Sequence, residues 1–106
     1  MQSKNPFVVL QKESPEVSEA FTNLIAAVSA GEPDAKTRQL IFIGIKASQG
    51  DASAVTAHVT MAKSEGASRD EVLGTILMTL PVSGIQGTTN CLIPALEAYE
   101  RKDEAI

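Results

Sequence analysis

Apolar residues recur at helical spacing along most of the chain, and the pattern predicts an all-α protein, a compact bundle of about five helices. The first clear helix opens at Ser14-Pro15, a cap followed by proline at the first helical position. It carries Val17, Phe21, Leu24, Ile25 and Val28 on one stripe, and Gly31 ends it. A second begins around Asp34 and runs through Lys36, Arg38 and Leu40 to Ser48, with Gly50 as its stop. Its centre, Leu40 to Ile45, would also suit a buried strand. The helix-forming lead-in from Ala35 to Gln39, and the lack of a second strand-like run to pair with, favour the helix. Because that helix is apolar nearly all round in so small a chain, burial against another subunit is expected.

The third helix spans Asp51 to Ser64 and is built of small residues, which allow close helix packing. Ser68-Arg69-Asp70-Glu71 is a capping box that starts the fourth, with Val72, Ile76, Leu77 and Leu80 as its buried stripe. Pro81 to Gly84 reads as a turn. A last helix runs from about Ile85 to Arg101, with Pro94 expected to kink it. Phe7 to Leu10 form a short apolar run whose conformation the pattern leaves open, and Met61 and Met78 are expected in the core.

Composition narrows the possibilities. With 106 residues, 43% of them apolar, the chain suits one domain over 1–106: an arm at 1–14, a helical body at 15–101 and a charged tail at 102–106. No run approaches the roughly 18 apolar residues of a membrane span. The first residues lack the apolar run of a signal peptide, so a cytoplasmic protein without membrane contact is expected. A net charge of −4, one Tyr and three Phe argue against nucleic-acid binding. A single cysteine, Cys91, excludes an intrachain disulfide and a multi-cysteine zinc site; its default role is a small buried hydrophobe.

Several ordered pieces carry a family resemblance: Asp-Ala-Lys-Thr-Arg-Gln-Leu-Ile at 34 to 41, Gly50 leading to His58-Val59, Ala62-Lys63, Glu65-Gly66-Ala67-Ser68, Glu71-Val72-Leu73, and Pro94-Ala95-Leu96-Glu97-Ala98. Together they resemble the carboxymuconolactone decarboxylase family, which includes the alkylhydroperoxidase-D-like proteins. The resemblance implies an all-α fold assembled into homotrimers or homohexamers, with sites near subunit contacts and no metal or organic cofactor. In its redox branch a Cys-x-x-Cys pair, a histidine and a relay glutamate correspond to Asp51, Ala54, His58 and Gln39. Only the histidine is kept here. Thiol exchange needs an attacking thiolate and a resolving thiol, so peroxidase or peroxiredoxin chemistry is not expected. The decarboxylase branch is similar to this chain in lacking the cysteines and keeping the histidine, although its charged residues between 51 and 57 are absent.

Asp51, Ala54, Val55 and His58 share one helical face, and Gln39, Phe42, Ile43 and Lys46 share another. If the faces meet, they enclose a site in which Lys46 holds a substrate carboxylate and His58 moves a proton, with Gln39 and Asp51 binding the substrate. Each residue also has a plainer reading. His58 would bond a backbone carbonyl, Lys46 would sit solvated at a helix end, Asp51 would cap a helix, and Gln39 would be structural. Two functions compete: cofactor-free decarboxylation, or related proton transfer, on a small carboxylated lactone; and a non-catalytic helical oligomer that binds a small molecule. Redox activity would need Cys91 to pair across subunits.

Overall fold

The structure, a computed structural model, describes residues 5–102. Among them every regular element is helical: α1 (Pro6–Glu13), α2 (Pro15–Ser29), α3 (Ala35–Ser48), α4 (Ala52–Ser64), α5 (Arg69–Leu77), α6 (Leu80–Ser83) and α7 (Gln86–Glu100). Six are ordinary helices; α6 is a single turn. The described chain separates into two units, one ending at Glu32 and one beginning at Pro33.

The first unit is a helical hairpin. The run at Phe7 to Leu10, whose conformation the sequence left open, lies in α1, which Asn5 caps by accepting from the Phe7 amide at 2.9 Å. Phe7 stacks on Phe21 with ring centroids 6.0 Å apart. Neither α1 nor α2 buries a residue, and the α2 stripe of Val17, Phe21, Leu24, Ile25 and Val28 is 40–57% exposed.

In the second unit the starts of α3, α4 and α5 are set by local side-chain chemistry. Asp34 caps α3 by accepting from the Thr37 amide and hydroxyl, and Asp51 caps α4 by accepting from the Ala54 amide at 3.0 Å. Ser68 and Glu71 form the reciprocal box at α5. The Thr37 hydrogen bonds hold the Asp34 carboxyl below its ordinary range, and the Ser68 amide, followed by Lys36, does the same for Glu71. Gly50 follows α3 at φ +71°, a left-handed conformation that lets the chain reverse into α4.

Helix α3 packs on α4 and α5, and α7 packs across α4 and α5. Their shared core comprises Ile43, Ala47, Val55, Val59, Ala62, Val72, Ile76, Cys91 and Ala95, all fully buried. A Cβ at Gly87 would meet Thr79 Oγ1 at 2.7 Å and the Ala47 carbonyl oxygen at 2.9 Å, so glycine there admits the start of α7 against the end of α3. Gln86 fastens the same junction by donating to the Ser48 carbonyl at 2.9 Å. At the other end of α7, the Tyr99 hydroxyl donates to the Ala67 carbonyl at 2.8 Å.

Three expectations change. Pro81 to Gly84 is no plain turn: Leu80–Ser83 forms α6, because proline fits the first turn of a helix. With α5 ending at Leu77 the stripe is cut short, leaving Leu77 39% and Leu80 40% exposed rather than buried. Met61 and Met78 are exposed, not core residues. Pro94 lies inside α7, as the sequence placed it. The charged tail expected after Lys102 lies outside the described residues.

Candidate functional site

The two faces that the sequence paired do meet, where α3 lies against α4. Ile43 from one and Val55 from the other are fully buried. The ring of half-buried His58 sits 5.2 Å from the Phe42 ring, centroid to centroid, tilted by 49°. His58 Nδ1 lies 2.9 Å from Gln39 Oε1, which makes the orienting partner a side-chain amide and not the backbone carbonyl of the plainer reading.

Lys46 lies one and two turns further along the same α3 face as Phe42 and Gln39. Its Nζ donates to Gln49 Oε1 at 3.2 Å and stands 4.0 Å from Asp51 Oδ2. Both ends of that ion pair are about two-fifths exposed, 39% and 42%, so it contributes roughly 0–1 kcal/mol and is readily exchanged for another anion. Asp51 thus caps α4 and faces Lys46 at once. Burial, followed by the charge of Lys46, lowers the His58 pKa below its ordinary value, which favours the neutral ring.

His58 with Gln39, and Lys46 with Asp51, therefore form two bonded pairs, which the Lys46 charge couples. Among the described residues no group of three or more His, Cys, Asp or Glu side chains is placed to hold a metal ion. Cys91 is fully buried, and burial, then the charge of Asp51, raises its thiol pKa, opposite to what a reactive thiolate requires. No helix among the described residues is long and apolar enough to cross a membrane.

A concavity lies on the other side of α3. It is an open groove of about 460 Å³, walled by Leu40, Ile41 and Ile45 of α3 with Met78 and Val82 opposite, and edged by hydroxyls such as Thr37 and Thr75. Sequence reasoning missed it. Its α3 positions 37, 41, 44, 45 and 48 sit about half a helical turn from the stripe 39, 42 and 46, so it shares no wall with His58. The available signal was Gly44 among isoleucines, a gap in an otherwise bulky surface.

Comparisons with known proteins agree on one family. The sequence profile described as the carboxymuconolactone decarboxylase family matches residues 15–97. Among solved structures, the apo form of a carboxymuconolactone decarboxylase family protein from Legionella pneumophila is similar, at 27% identity and a TM-score of 0.80 over 90% of this chain and 85% of that one. A protein from Burkholderia xenovorans, provisionally named a carboxymuconolactone decarboxylase, is similar in fold, at 20% identity and a TM-score of 0.82 over 92% of this chain and 77% of that one. Among curated proteins none matches significantly.

Proposed function

The chain belongs to the carboxymuconolactone decarboxylase family, and from that membership we propose that it carries out cofactor-free decarboxylation, or a closely related proton transfer, on a small carboxylated lactone. The observation that carries this reading is the half-buried His58, bonded to Gln39 and electrostatically coupled to the loosely held Lys46.

Lys46 takes the substrate carboxylate in exchange for Asp51, and Asp51 keeps its capping bond to Ala54. When the bond to the carboxyl carbon breaks, CO2 leaves and its electron pair passes into the conjugated lactone. That carbanion needs one proton. His58 delivers it as imidazolium and is reloaded from water. A bound carboxylate offsets the Lys46 charge that disfavours imidazolium, so substrate binding itself favours loading the ring.

This coupling is measurable, because His58 is the only histidine in the chain and gives one set of ring signals. In an NMR pH titration the free protein is expected to titrate below the ordinary imidazole value of about 6.5. Saturation with a small carboxylated lactone is expected to move the titration upward, and Lys46→Met to abolish that movement. A lactone that binds without shifting the titration would remove the proposed role of Lys46. Release of CO2 from the same lactone tests the reaction directly.

The working form in this reading is a homo-oligomer, in keeping with the exposed apolar stripe of α2. Light scattering is expected to give a multiple of the 11.2 kDa chain mass, three or six chains, and Leu24→Glu with Ile25→Glu to reduce it. A wild-type monomer at micromolar concentration is the contrary result. The groove beside Met78 favours a second reading, a binding protein for a small apolar ligand. In that case ligand would bind without CO2 release and His58→Gln would leave affinity unchanged.

A further inference from the structure

We propose that Gln39 is a positioning residue that sets which nitrogen of His58 exchanges the proton: its amide oxygen accepts from Nδ1–H, so that Nε2 gains and loses the proton. This rests on the proton-transfer reading above for its functional meaning. The geometry itself does not depend on it.

The distance between His58 Nδ1 and Gln39 Oε1 is 2.9 Å, a full hydrogen bond, and an oxygen can only accept. With that oxygen facing the ring, Nδ1 carries its hydrogen in the neutral ring and in the imidazolium alike. The bond survives both charge states and the change of charge falls on the other nitrogen. Fixing one ring nitrogen in this way is how an orienting partner defines the reactive one.

An amide does this differently from the usual carboxylate partner. A carboxylate at position 39 would stabilise imidazolium and keep the proton on the ring. Gln39 orients the ring without adding charge, leaving the charges that face it as Lys46 on α3 and, paired with Lys46, Asp51 at the start of α4. The ring can then cycle between its two states as substrate comes and goes. Gln39, expected to bind substrate, in this reading holds the histidine as well.

Long-range ¹H–¹⁵N correlation spectra of the full-length protein read the tautomer of its sole histidine directly. Wild type above its titration is expected to show protonated Nδ1 and unprotonated Nε2. Gln39→Leu is expected to move the population to the Nε2–H form that an unrestrained imidazole favours. Gln39→Glu is expected to keep Nδ1–H while shifting the ring titration upward. An Nε2–H ring in wild type, which a reversed Gln39 amide would produce, overturns the proposal. So does a tautomer that Gln39→Leu leaves unchanged. If Gln39→Leu does not fold, wild type and Gln39→Glu decide the matter. An Nδ1–H ring in a protein that releases no CO2 would leave this assignment standing and remove the decarboxylase reading alone.

Discussion

Replacing His58 with Gln is expected to lower turnover of a carboxylated lactone by about 10²–10⁴-fold, the usual contribution of a positioned acid or base. The variant keeps a polar side chain of similar reach at a half-buried position, so its thermal transition should stay close to that of wild type. Steady-state CO2 release, with circular dichroism on the same samples, separates chemistry from folding. Unchanged turnover in the variant would move the chemistry away from His58. A wild type that releases no CO2 from any small carboxylated lactone would favour the binding-protein reading and the groove beside Met78.

The largest effect on stability is expected at Ile76. It is among the largest fully buried side chains, on α5, in the core shared with Val72 and Cys91. Ile76→Ala removes buried methyl groups and leaves a cavity, a change that costs about 2–5 kcal/mol. For a chain of this size that corresponds to a fall in Tm on the order of 10 °C or more. Leu80, from the same sequence stripe, is 40% exposed, and Leu80→Ala should cost much less. Equal losses at both positions by thermal denaturation would mean that a partner surface covers Leu80 in the assembled protein.

The contrast between Ile76 and Leu80 illustrates what the sequence could carry. The starts of α3, α4 and α5 were legible because each depends on residues three apart: Asp34 with Thr37, Asp51 with Ala54, Ser68 with Glu71. The pairing of the Gln39 and His58 faces was legible for the same reason, since helical spacing aligned each set. The 2.9 Å bond between them was not, because it depends on side-chain rotamers and on the approach of two helices. Leu77 and Leu80 were misjudged because periodicity assumes an unbroken helix, and α5 stops before α6 begins. The groove was invisible for a related reason: its far wall comes from Met78 and Val82, and where they stand relative to α3 is a tertiary fact. Cys91 was read correctly as buried, since a lone cysteine flanked by Leu92 and Ile93 has little else to do.

Helix α3 presents Gln39, Phe42 and Lys46 on one side and Thr37, Ile41 and Ile45 on the other. For a protein engineer this is a separation of concerns. The groove wall can be randomised to recruit new apolar ligands, or fitted with a reporter dye at Ile41 or Ile45, without altering any residue that handles the proton. Conversely, the acidity of His58 can be tuned through Gln39 and Lys46 without reshaping the groove. A library built on either face of this one helix should yield changes in a single property at a time.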